Sequence, residues 1–426
     1  MTGPIAAISF SRRSCTTPDI SEPLMLARVY LSRVAEPGSL AVADLVARVG
    51  PETAAERIRS GVVSEQVERV TAARRYSCDP RADLEAADRH DIRLVLPESD
   101  DWPHFAFASL YAAEARRLDE WRNGQRAARY GGEPTVPIAL WVRGPGDLVE
   151  LGPRSVAIVG ARAATGYGEA LAAELGHDLG RQGLAVISGG AFGIDAAAHR
   201  GALAAEASTV LVAANGLDTA YPRAHAALFR NVAEAGLLIS ESPPGATAQR
   251  HRFLSRNRLV AALSAGTVVV EAAARSGALN TAGHCLALGR PLMAVPGPVT
   301  SAMSVGCHAL LRHPTSPAVL VTGAADVLAL IGPLGADHPS RVAGDEPDGR
   351  RRVLDELDPV ARAVADGLPT RGWATEEELA VRSGVDVLSV LRALPVLQLA
   401  GVMEGGPDGY RSVRTSPAGR PKDNAG

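Results

Sequence analysis

The chain has 426 residues, 46% of them hydrophobic and only 4% aromatic, with a formal charge of −3. That length exceeds one ordinary domain, and that apolar content excludes general disorder. The small net charge excludes a uniformly cationic surface, so any basic patch must be local.

Nearly all the positive charge is arginine; Lys422 is the sole lysine. Arginine grips phosphate bidentately. The cysteines Cys15, Cys78, Cys285 and Cys307 have no CxxC spacing and read as reduced thiols of a cytosolic protein. An apolar run at 5–10 is followed, not preceded, by Arg12 and Arg13, which is unlike a signal peptide. No stretch has the apolar length to cross a bilayer. The expectation is a cytoplasmic protein without a membrane partner.

Residues 1–20 are polar and mixed and read as a flexible tail. From 21 to 91, LMLARVYLSRVAEPGSLAVADLVARVG, PETAAERIRSG and VSEQVERVTAARR place apolar residues at helical spacing. Pro37-Gly38 and Gly50-Pro51 break the pattern, which predicts a small helical (SAM-like) domain that packs or binds a partner without chemistry. Residues 92–145 connect it to the core. IRLVL and IALWV are strand candidates there, able to extend a sheet. Between them Arg116, Arg117, Arg122, Arg126 and Arg129 are offset by Glu114, Asp119 and Glu120, the pattern of a solvated helix face.

The organising stretch is 155–195, SVAIVGARAATGYGEALAAELGHDLGRQGLAVISGGAFGID. Two apolar runs, 156–159 and 184–187, flank an amphipathic segment at 167–181, which predicts a βαβ unit. Such a unit presents its ligand site at the carboxyl ends of its strands. Both ends are rich in glycine and small residues: Gly160-Ala-Arg162 and Ser188-Gly189-Gly190-Ala-Phe-Gly193. Glycines admit a close ligand and helix starts attract anions, so the expectation is a site for phosphate groups. Further runs STVLVAA, GLLIS, TVVVEA, RPLMAV and PAVLV alternate with helical patterns at 194–205, 224–235, 253–264, 277–288 and 305–311. This predicts an α/β, Rossmann-like, doubly wound and mostly parallel sheet over 146–332.

Residues 333–350 are rich in Gly, Pro and Asp and read as a linker. Over 351–414, three short helical patterns lead into GVMEGGPDGYRSVR, the order of a winged helix. Thr375 with Glu378 is a capping-box pattern. The stretch 415–426 is a second flexible tail.

Nucleotide motifs fit poorly. Gly160-Ala-Arg162 is no GxGxxG, Ser188 stands at the first glycine position of the second loop, and the next strand ends in Asn215 rather than an acid. Gly160 and Gly166 have P-loop spacing, but Tyr167 stands where lysine belongs. Asp195 and His199 share a helix face, either as an acid–base pair or as a helix-start acid that caps and opposes the dipole. His284-Cys285 and Cys307-His308 lack structural zinc spacing and read as buried thiols, so neither a metal nor a cofactor is expected.

The informative constellation is QRHRFLSRNR at 249–258. Arg250, Arg252, Arg256 and Arg258 occur without an acid, and Phe253 lies among them. Following a strand end at 239–240, the segment belongs at the carboxyl edge with Arg162 and Ser188–Gly190. Cations, bare amides and one ring suit single-stranded nucleic acid, phosphates on the former and a base on the latter. Individual arginines could instead pair with Glu241 or Glu271 and brace the fold.

These blocks, VAIVGAR, GLAVISGGAFGIDAAAHRGAL, FLSRNRLVAALS, VVVEAAARSGALNTAGHCLALGRPLMAVPG and SVGCHALL, resemble in order the DNA-processing protein A (DprA/Smf) family. Asp101-Trp102-Pro103 and ALWVRG precede them as in that family. The resemblance implies a bacterial, non-enzymatic protein that binds and protects single-stranded DNA, helps load the RecA recombinase in natural transformation, and forms a homodimer. It places the DNA pocket on Gly160, Arg162, Ser188, Gly189, Gly190, Phe253, Arg256, Asn257, Arg258, Ser276 and Gly277; the charge argument adds Arg250. Departures lie at His308 and over 312–321. The competing expectation is a Rossmann enzyme on a nucleotide, such as a nucleoside-monophosphate phosphoribohydrolase. Such an enzyme needs PGGxGTxxE, whereas TVVVEA leads here to Arg275-Ser276-Gly277-Ala278.

Overall fold

A computed structural model describes residues 20–125, 132–152, 154–313, 317–332, 357–369 and 372–413. Both expected tails (apart from Ile20), the 333–350 linker, Cys15, Arg126 and Arg129 lie outside them. The chain divides into two compact units, 1–339 and 340–426.

Among the described residues, the first unit opens with five helices: α1 (Glu22–Val34), α2 (Leu40–Val49), α3 (Pro51–Ser60), α4 (Glu65–Thr71) and α5 (Pro80–Arg89). Local chemistry sets their limits. Ser21 caps α1 by accepting from the Leu24 amide, and Gly50, at φ +77°, turns the chain into Pro51 at the head of α3. Tyr30, Leu31, Val34, Val42, Ala54 and Ile58 form their shared core. Val29 and Ala87 instead pack into the sheet's own apolar cluster beside Trp141 and Leu238, so these helices and the sheet share one compact unit.

The sheet has nine strands: β1 (Arg93–Val95), β2 (Leu140–Arg143), β3 (Ser155–Val159), β4 (Ala185–Ser188), β5 (Thr209–Val212), β6 (Leu237–Ser240), β7 (Thr267–Val269), β8 (Leu292–Ala294) and β9 (Val319–Leu320). Its order is β1-β2-β6-β5-β4-β3-β7-β8-β9. The run from β6 to β9 is parallel, and β2 and β1 continue it antiparallel, as IALWV and IRLVL suggested. Strand order reverses at β3, between β4 and β7.

Strand alternation assigns the helices to faces. Val156 and Ile158 point to α7 (Gly166–Arg181), α8 (Ile194–Ala204) and α13 (Ala324–Ile331). Ala157 and Val159 point to α6 (His104–Arg122), α10 (Arg250–Ala262), α11 (Gly277–Ala287) and α12 (Val305–Arg312). Helix α9 (Ala226–Ala235) covers Leu211 and Leu238. No described helix is long and apolar enough to cross a membrane.

The second unit carries α14 (Pro359–Gly367), α15 (Glu376–Ser383), α16 (Val387–Leu399) and the antiparallel pair β10 (Met403–Gly406) and β11 (Gly409–Ser412), in the order the sequence suggested. Val364, Leu379, Val390, Leu394 and Met403 form its core. The capping box is present: the Glu378 amide donates to Thr375 Oγ1 at 3.3 Å and the Thr375 amide to Glu378 Oε2 at 3.1 Å.

Helices α7 and α8 touch through glycine. A methyl group at Gly176 would overlap the Ala198 carbonyl oxygen, and one at Gly201 the Ala173 carbonyl oxygen. Backbone cannot yield as a side-chain tip can, so Gly201→Ala should destabilise the protein by about 1–3 kcal/mol. Urea unfolding followed by circular dichroism reads this. Gly166→Ala, where nothing lies within 4 Å of the added carbon, should leave the midpoint unchanged or slightly raised.

Candidate nucleic-acid interface

Four segments meet at the carboxyl edge of the sheet: the loops after β3, β4 and β5, and the start of α10. Gly160 leaves β3 in a space already filled, since a methyl there would lie 2.9 Å from the Glu271 carbonyl oxygen and overlap Ile194. Two residues on, Arg162 is exposed and its Cζ stands 5.0 Å from the centroid of the Phe253 ring. This is cation–π geometry. The Tyr221 ring also meets Phe253, 5.4 Å between centroids and tilted to it.

The loop after β4 is shaped by Arg256, which reaches across from α10 and is 6% exposed. Its Nη1 donates to the carbonyl oxygens of Gly189, at 2.9 Å, and Val212. Any Cβ at Gly189 would lie 2.5 to 2.7 Å from that guanidinium, which explains the glycine. Gly190 and Gly193, at φ +70° and +72°, complete the turn. The Asp195 carboxylate accepts from the amides of Gly189, at 3.2 Å, and Ala191, at 3.4 Å. Burial pushes the Asp195 carboxyl up, opposed by Arg256 and those two amides. Burial also lowers Arg256 to about 10, with Asp195 opposing and Arg162 adding repulsion, so Arg256 stays cationic at neutral pH.

Glu271, just past β7, governs the switch point. Its carboxylate accepts from the Thr165 amide at 2.9 Å and from Thr165 Oγ1 at 2.6 Å, where Thr165 caps α7. A carboxylate therefore already sits at the helix start where a Rossmann fold would hold a nucleotide phosphate. Between them, this carboxylate and that of Asp195 engage the Thr165 amide and, from the loop expected to cradle phosphate, those of Gly189 and Ala191.

The four arginines of α10 separate into two kinds. Arg258, expected on the rim, is fully buried: its Nη1 and Nη2 donate to the Glu241 carboxylate at 2.6 and 2.5 Å, and its Nε to the Thr135 carbonyl oxygen at 2.8 Å. It braces the fold and cannot meet a solvent-borne phosphate. Arg252 is likewise buried, with Nε and Nη2 each 2.8 Å from the Glu36 carboxylate. Arg250, the first residue of α10, is exposed, one turn from Phe253. Ser188 is also internal; its hydroxyl donates to the Ile158 carbonyl oxygen at 2.6 Å.

Asn257, four residues after Phe253, donates to Asn280 Oδ1 at 3.0 Å and to the Gly277 carbonyl oxygen at 3.3 Å. Ser276 caps α11 by accepting from the Ala278 amide at 3.3 Å, and Gly277 is exposed with open space around it. The fold thus gathers Arg162, Gly189, Gly190, Phe253 and Arg256, and links Phe253 through Asn257 to Ser276 and Gly277. Reading the sequence missed Tyr221 and Phe192. The signals were a tyrosine in the loop after the AAN strand end and the sole ring of the SGGAFG loop.

Other candidates resolve into structure. His199 is fully buried, its Nδ1 2.7 Å from Thr209 Oγ1, and burial, with the charges of Arg256 and His225, lowers it to about 3. Asp195 is engaged by the Gly189 and Ala191 amides and His199 by Thr209, the arrangement of the helix-start acid rather than of an acid–base pair. Burial raises the Cys285 thiol to about 11 and the Cys307 thiol to about 12. His308 Nε2 lies 3.0 Å from the Gly297 carbonyl oxygen. Among the described residues no group of His, Cys, Asp or Glu could hold a metal ion.

Glu36 ties the N-terminal helices to α10. Burial would raise its carboxyl, but hydrogen bonds from Arg252 and His251 and the charges of Arg252 and Arg74 outweigh this and lower it from 4.5 to about 2. A depressed folded-state value contributes stability above about pH 4.5, lost as pH falls toward 2. Urea midpoints of wild type and Glu36→Gln should therefore differ at neutral pH and converge toward pH 2.

The family model for DNA recombination-mediator protein A matches residues 125–332. A Mycobacterium tuberculosis protein described as a DNA processing protein DprA is 47% identical over 393 residues, covering 92% of this chain and 95% of the relative. Protein Smf of Escherichia coli is 35% identical over 281 residues, covering 65% of this chain and 72% of the relative. Among solved structures, DNA processing protein A from Streptococcus pneumoniae superposes with a TM-score of 0.57 at 28% identity, covering 72% of this chain and 98% of that one. With the glycine-lined edge, the arginine-bearing α10 and near end-to-end similarity to such a relative, the chain belongs to the DNA-processing protein A (DprA/Smf) family.

Proposed function

We propose that this protein is a non-catalytic, cytoplasmic binder of single-stranded DNA that protects incoming strands, acts as a homodimer and helps load a RecA-class recombinase. The observation that carries the reading is the exposed Arg162 guanidinium over the Phe253 ring, at the edge where Arg250 also stands exposed. A phosphate takes the cation and a base stacks against the half-buried ring beside it, an arrangement open to a single strand and closed to stacked duplex bases. Family membership and the relatives' descriptions as DNA processing proteins support it. Against the nucleotide-enzyme alternative stands Glu271, whose carboxylate fills the helix start a mononucleotide phosphate would need. Arg256 supports the site from behind by fixing the Gly189 loop.

Fluorescence anisotropy with labelled oligo-dT tests the proposal. Affinity should fall steeply with salt through counterion release, and Arg162→Ala should weaken binding across sequences and flatten the salt slope by about 0.7. Phe253→Ala should remove a stacking contribution of about 1–3 kcal/mol. Equal affinity for duplex and single strand, or release of free base from AMP, would refute the reading.

A further inference from the structure

The rim carries three aromatic rings. Tyr221 is 47% exposed and Phe192 48% exposed, and each is held in place by groups behind it. Asn215 Nδ2 donates to the carbonyl oxygens of Gly216, at 2.8 Å, and Thr219, at 2.7 Å, fixing the loop that presents Tyr221. Asp218, the acid on that loop, is engaged by the Gly245 amide at 2.7 Å and the Thr219 hydroxyl at 3.3 Å. Phe192 rests with its ring against buried His225, 4.5 Å between centroids, and His225 Nδ1 is anchored 3.0 Å from the Gly190 carbonyl oxygen.

The contacts close into a circuit. Arg162 covers Phe253, Phe253 touches Tyr221, and Tyr221 shares a loop with His225. His225 supports Phe192, and the next residue, Gly193, packs against the carbonyl oxygens of Ala161 and Arg162. Arg162, Arg223 and Arg250 are exposed around it and enter none of the ion pairs found among the described residues. A single exposed ring is ordinary. Half-exposed, propped rings on one circuit with unpaired guanidinium groups form a stacking surface whose polar edge is cationic.

We propose that Phe192 and Tyr221 are base-stacking platforms flanking Phe253, so that the rim receives several bases of one strand rather than one. The proposal rests on the single-strand reading above and extends its site to the loops after β4 and β5. Phosphates between the stacked bases would meet Arg162, Arg223 and Arg250.

The test uses full-length protein and labelled oligo-dT. Tyr221→Leu and Phe192→Leu, which keep apolar bulk but remove the flat face, should each weaken binding about tenfold. Tyr221→Phe should bind as wild type. Independently of any variant, photocrosslinking of wild type to oligonucleotides carrying 5-iodouracil should label peptides containing Tyr221 and Phe192. If wild type and Tyr221→Leu and Phe192→Leu bind alike while Phe253→Ala fails, and crosslinks are confined to Phe253, the platforms are refuted and the single-strand reading stands. If wild type shows no affinity for oligo-dT, both fall together.

Discussion

Three carboxylates hold the carboxyl edge of the sheet in shape. Glu271 fastens the loop after β3 at the cap of α7, Asp195 gathers the amides of the loop after β4, and Glu241 receives the buried Arg258 of α10. Each is drawn largely out of water, where an unpaired charge is costly, so each fixes the geometry of its donors. Removing Glu241 would leave the buried Arg258 guanidinium without its carboxylate, and removing Glu271 or Asp195 would free the loops they hold, the ones that frame the rim.

That arrangement relocates the site. In an open α/β sheet the usual ligand position is the crevice where strand order reverses, here beside β3 and β7. The Glu271 carboxylate occupies that position, and Arg162 reaches from the loop after β3 toward rings that stand, with the exposed Arg250, displaced toward β4, β5 and α10. Positive charge is therefore divided between two layers. Arg256 and Arg258 form an inner layer bonded to carbonyl oxygens and carboxylates, and Arg162 and Arg250 an outer one facing solvent. The protein can carry a net charge of −3 and still present a local cationic rim.

The sheet and its helices were legible in the sequence because short Val- and Ile-rich runs ending in small residues alternate with amphipathic segments. The start of α10 was not: Gln249 makes no side-chain cap bond, so nothing local signals that the helix begins at Arg250 rather than Phe253. The layer each arginine joins was equally hidden. Glu241 was a candidate partner from the sequence, though not which arginine would meet it, and Arg258 takes that role; the Arg252 bond to Glu36, 216 residues away, only the folded chain creates. Ser188 looked like a loop residue but ends a fully buried strand. Tyr221 and Phe192 were visible as letters, but their shared rim is a tertiary fact.

The Glu36 bond to Arg252 and His251 bears on how the N-terminal helices are regarded. Their side chains read as a separate packing module, yet one of them grips the helix that carries Phe253. Excising residues 20–91 would expose the Arg252 guanidinium and the apolar surface under Val29 at one stroke. The helices and the sheet are therefore one folded body, and the helix that carries Phe253 is anchored from both.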